Sequence, residues 1–254
     1  MKTSTFRRKL AIGILILFAG AFGTLSNGMA TVEQGLVGYW NCDEGCKGYS
    51  DTLHDSSGHN NHGVISGASW TTGVSGSALE IVGTNIVSSI PRSYDDSISA
   101  LTITAWIKWY GPSSYLRSSV IFDGRGSTYP LGLWFGVGTD STLYFIIQQG
   151  IGSVIKSNSH VSADTSWTHV AVLFDDAHDK LCVFINGKQD SMLTATDTFH
   201  NSNQQPAIGN NHWAPGDHKW APLNGVLDEL RIYNRVLSEA EIESLYCGRS
   251  YIPR

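Results

Sequence analysis

The stretch His212-Trp-Ala-Pro-Gly-Asp-His-Lys-Trp-Ala-Pro222 is unlike its surroundings, and its residue types are those that grip a sugar. A sugar ring offers a C–H face, which packs on an aromatic plate, and a fringe of hydroxyls, which need donors and acceptors. Trp213 and Trp220 can be the plate. Asp217 and His218, with Asn210 or Asn211 just before them, can supply the polar groups. Tyr110 and Tyr115, in Tyr110-Gly-Pro-Ser-Ser-Tyr-Leu-Arg117, can line the same face. The alternative is that both tryptophans fold back over a sheet edge, since loop aromatics often close cores.

A second candidate is a carboxylate. In Val226-Leu-Asp-Glu-Leu-Arg-Ile-Tyr233, alternation puts Asp228 in phase with Val226, Leu230 and Ile232, among core-facing side chains. A buried carboxylate needs hydrogen-bond donors, a cationic partner or a metal. Histidine chemistry is weaker here. Asp55, His59 and His62 are close in sequence, and His212 and His218 flank Trp213, but none has the spacing of a zinc site. His169 lies inside a strand and reads as structural. Neither a Gly-x-Ser-x-Gly elbow nor a phosphate-cradling glycine loop occurs.

Short strands must position these residues. Strand signals cover Leu36 to Trp40, Val64 to Trp70, Ala78 to Val82, Leu101 to Trp109, Val120 to Asp123 and Leu131 to Val137. They continue over Leu143 to Gln148, Ser153 to Lys156, Thr168 to Asp175, Lys180 to Asn186 and Val226 to Tyr233. In Leu101 to Trp109 the odd positions are apolar, while Thr102, Thr104 and Lys108 share the other face. Asn186-Gly187 predicts a tight hairpin, whose central residues need positive φ. One helix is expected, from Ser238 to Tyr246, with Ser238 and Glu241 forming a capping box. Many short strands and one terminal helix predict an all-β fold of two packed antiparallel sheets.

The amino terminus reads as an address. Lys2, Arg7, Arg8 and Lys9 precede an uncharged apolar run from Leu10 to Gly23, and Gly28-Met29-Ala30 suits signal peptidase. About 14 residues would span only ~21 Å as a helix, short of a ~30 Å hydrocarbon core. Residues 1–30 are therefore expected to be a signal peptide and 31–254 one exported domain, secreted or periplasmic, without a membrane span. The leader removes four of 17 basic residues and none of the 22 acidic ones, leaving a chain more acidic than the whole-chain −5. That balance argues against nucleic acid as a partner.

Four cysteines, Cys42, Cys46, Cys182 and Cys247, allow three complete pairings. An oxidising compartment permits a bridge. Cys42 and Cys46 lie in one short Gly-containing loop, so theirs is the easiest to close and is the bridge expected. Cys182, mid-strand, reads equally as a small buried apolar residue.

Several motifs in order carry a family resemblance. They are Gly35-Leu-Val-Gly-Tyr-Trp40, Asp43-Glu-Gly45, Asp55-Ser-Ser-Gly-His-Asn-Asn-His-Gly63, Ala78-Leu-Glu80 and Leu101 to Lys108. Trp167-Thr-His-Val-Ala-Val172, Phe184-Ile-Asn-Gly-Lys188, Gly225 to Tyr233 and Asn234 to Ile242 complete the series. Over residues 35–246 the chain resembles the laminin-G-like jelly-roll domains of the concanavalin A-like lectin/glucanase superfamily. The resemblance implies a two-sheet antiparallel jelly-roll sandwich. It also implies a structural calcium held by Asp228, Asp43 and the carbonyl of Gly63, with Asn61 or Asp55 as further ligands. Laminarinase-type relatives carry Glu-x-Asp-x-x-Glu on one strand, because retaining chemistry needs two carboxyl groups ~5 Å apart on one face. This chain lacks that pattern. The expectation is an exported, non-catalytic lectin-like binding or adhesion module for extracellular glycan. A cell-envelope protein is the competing partner, and a divergent glycoside hydrolase the remaining alternative.

Overall fold

The computed structural model describes residues 32–47, 50–82, 86–88, 98–112, 118–124, 132–148, 153–195, 205–210 and 221–250. Among these the chain runs through β1 (Leu36–Trp40), β2 (Thr52–Leu53), β3 (Gly63–Ser66), β4 (Ser69–Thr72), β5 (Ser77–Ile81) and β6 (Ile86–Ser88). Longer strands follow as β7 (Ala100–Trp109), β8 (Ser118–Asp123), β9 (Gly132–Gly138), β10 (Thr142–Gln148) and β11 (Ser153–His160). Next come β12 (Thr168–Asp175), β13 (Lys180–Ile185) and β14 (Lys188–Thr194). Two short strands, β15 (Ala207–Ile208) and β16 (Ala221–Pro222), precede β17 (Gly225–Tyr233) and helix α1 (Glu239–Ser250).

One sheet has the order β14-β13-β12-β7-β17-β5-β4, with β1 also on β17. The other has the order β11-β10-β9-β8-β15-β6-β3-β2, with β16 on β8. This is the two-sheet sandwich that the strand pattern predicts, and the jelly roll that the family resemblance implies. Strand β7 shows why: Leu101, Ile103, Ala105, Ile107 and Trp109 all enter the core, at every second residue. From the facing sheet Leu133, Phe135 and Val137 of β9 and Leu143, Phe145 and Ile147 of β10 meet them.

The other face of β7 is not a solvent face. Thr102 and Thr104 are buried as well. The chain after β17 covers Thr102, whose hydroxyl donates to the Arg235 carbonyl (2.8 Å) and accepts from Leu237 N–H (3.0 Å). Helix α1 lays Tyr246 over Trp106 with ring centroids 5.6 Å apart. A second small core of Leu173, Phe184, Tyr233, Leu237 and Ile242 forms beneath it. The capping box is present: Ser238 N–H donates to Glu241 (2.8 Å) and Glu241 N–H to Ser238 Oγ (3.3 Å).

Three local departures from the strand pattern have physical causes. The run from Val64 to Trp70 is two strands in different sheets, because Gly67 turns the chain at φ 82°. Strand β14 forms on a weakly alternating sequence because the Asn186-Gly187 hairpin, with φ of 50° and 78°, hands it to β13. In β17 the register against β7 slips between Asp228 and Arg231, and Glu229 sits at φ 53°. Leu227 and Leu230, of opposite parity, therefore both enter the core. The bulge, rather than phase with Leu230, is what buries Asp228, which is 0% exposed.

Candidate functional site

Strand β17 receives β5 along Gly225–Leu227 and β1 along Leu230–Tyr233, leaving the bulged Asp228-Glu229 between them. The turn joining β4 to β5 and the 3-10 turn after β1, Asp43–Lys47, close on that position. Asp228 Oδ2 accepts the amide hydrogens of Val74 (2.8 Å) and Ser75 (3.2 Å). Asp43 Oδ1 accepts that of Ser77 (3.1 Å). Gly73 N–H to the Gly76 carbonyl (3.0 Å) closes the turn between them.

Asp228 Oδ1 is buried and accepts no hydrogen bond. Burial raises the Asp228 pKa to about 8, with the Glu229 charge adding to it and the amides of Ser75, Val74 and Glu229 opposing. An orphaned carboxylate oxygen beside a second carboxylate suits a hard cation such as calcium. Asp43, Asp228 and backbone carbonyls of the 73–77 turn would hold it. Among the described residues no three His, Cys, Asp or Glu side chains cluster in metal-binding geometry, so backbone oxygens would have to contribute.

The structure does not bring Asp55, Asn61 and Gly63 to that turn by any hydrogen bond. Asp55 accepts four: from Tyr39 N–H (2.9 Å), Ser57 N–H (2.9 Å), Ser57 Oγ (2.8 Å) and Asn61 N–H (2.9 Å). Burial raises its pKa, but these bonds outweigh it and hold the carboxyl below the ordinary value. Asn61 bridges the Val37 carbonyl (2.9 Å) and, through its own carbonyl, Trp40 Nε1 (3.0 Å). Gly63 pairs with Leu53 in the β2–β3 ladder. These residues fasten the loop to β1.

The cysteine expectation is corrected. Cys42 is a free thiol, 0% exposed, with Sγ 3.8 Å from the Trp40 carbonyl. Its φ is 53°, and its side chain lies in the main core. Burial and then the surrounding Asp228, Glu44, Glu229 and Asp43 push the thiol well above its usual pKa. His169 is also buried, 1% exposed, with its ring 5.3 Å from that of Trp106 and Nδ1 unbonded. Burial, with Arg231 adding, lowers its pKa to about 3. His62 Nδ1 accepts the Asp55 amide hydrogen (3.0 Å), which assigns it to the same structural loop.

Of the sugar-site candidates, Trp213, Trp220, Asp217, His218, Asn211 and Tyr115 lie outside the described residues. The stems of their loop do not. Gly209 N–H donates to the Ile121 carbonyl (2.9 Å) and Leu223 N–H to the Gly209 carbonyl (2.8 Å). Asn224 Nδ2 donates to the Gly111 carbonyl (3.0 Å), and Tyr110 N–H to the Asn224 carbonyl (2.8 Å). Both ends of the 211–220 segment are thus fixed on the rim that carries Tyr110. Asn210 is buried at the stem, and Tyr110 is half-exposed with its hydroxyl donating to Glu80 (2.9 Å).

One group that the alternation pattern did not single out lies on the other side of the bulge. Glu229, 1% exposed, accepts from the Tyr39 hydroxyl (2.9 Å) and pairs with Arg231. The Arg231 guanidinium lies 4.0 Å over the Tyr39 ring. Asp228 and Glu229 are therefore engaged in separate hydrogen-bond groups, without the shared open face that a glycosidase pair requires.

Residues 83–243 match the laminin-G family model described as concanavalin A-like lectin/glucanases superfamily. The chain belongs to this superfamily. Several solved structures share this fold. Domain 4 of AbnA, a GH43 extracellular arabinanase from Geobacillus stearothermophilus solved with arabinotriose, is 22% identical with a TM-score of 0.61, covering 83% of this chain and 98% of that one. The binding domain of Paraclostridial Mosquitocidal Protein 1 is 19% identical with a TM-score of 0.63, covering 85% and 53%. A botulinum neurotoxin type C structure, described with cell entry through two ganglioside molecules, is 17% identical with a TM-score of 0.65, covering 88% and 53%. The chain thus spans about half the length of the two toxin chains. None of the curated proteins matches the chain.

Proposed function

We propose that this laminin-G-like domain is an exported, non-catalytic lectin-like module that recognises extracellular glycan through the rim bearing Trp213 and Trp220, with a structural calcium at Asp43 and Asp228. The observation that carries it is the double fastening of the 211–220 segment beside Tyr110. The residues flanking the segment that carries the two tryptophans are fixed, and a fixed anchor lowers the entropy lost on binding. The arabinotriose in the AbnA domain, which this chain matches nearly end to end, supports the same ligand class. Among the described residues no helix is long and apolar enough to cross a membrane.

A glycan array with the purified mature protein tests the reading. Reproducible binding that Trp213→Ala or Trp220→Ala removes supports it. Silence on glycans with capture of a cell-envelope protein replaces it with a protein-binding module, and hydrolysis of any polysaccharide refutes the non-catalytic assignment.

A further inference from the structure

Between β1, β17 and α1 lies a cavity of about 770 Å³, within the ~300–1,000 Å³ range of small-molecule sites. Its floor is Arg231, Tyr39 and Tyr233, and its helix wall includes Ser244, Leu245 and Cys247. We propose that this cavity is a second ligand site, for one or two rings of a neutral sugar. It rests on the lectin-like reading for the ligand class but on different residues and a different face. Gly225, beside the rim, and Arg231, in the cavity, are six residues apart on β17, roughly 20 Å along a strand.

The chemistry follows from what holds the floor. Glu229 lies behind the cavity and fixes both Arg231 and Tyr39. Tyr39 donates its hydrogen to Glu229, which turns its oxygen toward acceptance, while the guanidinium retains N–H groups beyond those given to Glu229. A donor and an acceptor side by side suit a hydroxyl, which both accepts and donates. Glu229 holds a left-handed φ of 53° at a β-bulge, a costly conformation of the kind kept where a side chain must be aimed.

Other ligand classes fit less well. Glu229 neutralises Arg231 and Glu33 adds a negative charge to the lining, so the lining side chains offer an anion no net attraction. Guanidinium groups already lie over the rings, Arg231 at 4.0 Å from Tyr39 and Arg235 at 5.9 Å from Tyr233, which disfavours an ammonium cage. An all-apolar ligand would strip water from Arg231, Tyr39 and Ser244 without replacing its bonds. Leu36 and Leu245 provide the apolar surface that the C–H edge of a sugar needs.

Cys247, exposed on the helix wall, is the reporter. Its alkylation by iodoacetamide is followed by peptide mass spectrometry with L-arabinose, arabinotriose, D-galactose, D-mannose or the anionic N-acetylneuraminate present. At least one neutral sugar should slow the reaction roughly five-fold once its concentration is about four times Kd. N-acetylneuraminate should not. Ser244→Trp, which fills the cavity from an exposed helix position, should abolish the protection while its melting temperature stays at the wild-type value. Arg231→Lys should weaken it while keeping the charge on Glu229 paired. No protection by any of the neutral sugars, protection by the anion, or protection that survives Ser244→Trp overturns the proposal. Trp213→Ala/Trp220→Ala separates the two sites: array binding lost with Cys247 protection retained supports both, whereas protection lost with it assigns the effect to the rim.

Discussion

Asp43 and Asp228 hold opposite ends of one turn: Asp228 takes the amides of Val74 and Ser75, and Asp43 takes that of Ser77. The first strand and the last are thereby tied through a loop that belongs to neither. Because one oxygen of Asp228 is buried without a partner, a cation there would remove a desolvation cost. Calcium at ~100 times Kd should add about 2.7 kcal/mol, or roughly 5–10 °C of melting temperature. Chelator should reverse the gain, and Asp228→Asn should erase most of it. An unchanged melting temperature after confirmed metal removal would leave Asp228 as a hydrogen-bonded structural acid.

The same turn predicts a glycine effect. Gly76 has φ 59°, and a Cβ there would stand 1.9 Å from Asp43 Oδ1. Gly76→Ala should destabilise the domain by roughly 2 kcal/mol or more. It should also blunt the calcium response, because Asp43 must move. Denaturant unfolding with and without calcium measures both effects, and wild-type behaviour in either would mean that the turn yields more easily than its geometry indicates.

How much of this was legible in the residues depends on how local each feature is. Strand β7, the Asn186-Gly187 hairpin and the Ser238–Glu241 cap follow from periodicity and turn chemistry, and all three are present. Asp228 was legible as a buried carboxylate, but for a reason that fails: parity cannot cross a bulge, and nothing in Leu227-Asp-Glu-Leu230 announces that Glu229 will turn left-handed. Its amide partners come from a loop far away in sequence, which no pattern within β17 reveals. Asp55 belongs to a motif legible in sequence, and its carboxylate accepts hydrogen bonds from its own loop. The Arg231–Glu229–Tyr39 group went unseen because its members become neighbours only when β1 pairs with β17.

Trp213→Ala and Trp220→Ala should each weaken glycan binding at least ten-fold, about 1.4 kcal/mol, with little change in stability. The residues flanking their segment are held by backbone hydrogen bonds, which leaves the stability of the stems independent of the two indoles. Should either substitution cost several kcal/mol in denaturant unfolding, that tryptophan is a core element and leaves the binding surface.

Thiol chemistry separates the cysteines. Cys42 and Cys182 are buried with pKa values raised chiefly by burial, while Cys247 is exposed. Reactivity follows thiolate and access. Native protein should therefore be alkylated at Cys247 long before Cys42 or Cys182, and both of these should react fully once unfolded. A Cys42–Cys46 peptide in the unreduced digest would show that the exported protein closes this bridge.

Acid should act first through His169. Its folded pKa is about 3 against 6.5 for the free side chain, so the unfolded chain binds the extra proton as pH falls below 6.5. The neutral ring's contribution is complete above pH 6.5 and is lost at up to about 1.4 kcal/mol per pH unit below it. Asp55 and Glu241, whose pKa values are lowered, contribute with the same sign but only below their unfolded values, near pH 4. Asp228, raised to about 8, acts with the opposite sign across the same window in calcium-free protein, so absolute slopes mix the two. The comparison that isolates His169 is wild type against His169→Phe, which keeps a ring beside Trp106 and Tyr246. Between pH 4.5 and 6.5 the stability difference should shift in favour of the variant by about one proton's worth as pH falls. Parallel curves over that range would mean that His169 finds a partner for its proton in the folded protein, and that Arg231 does not oppose its charging.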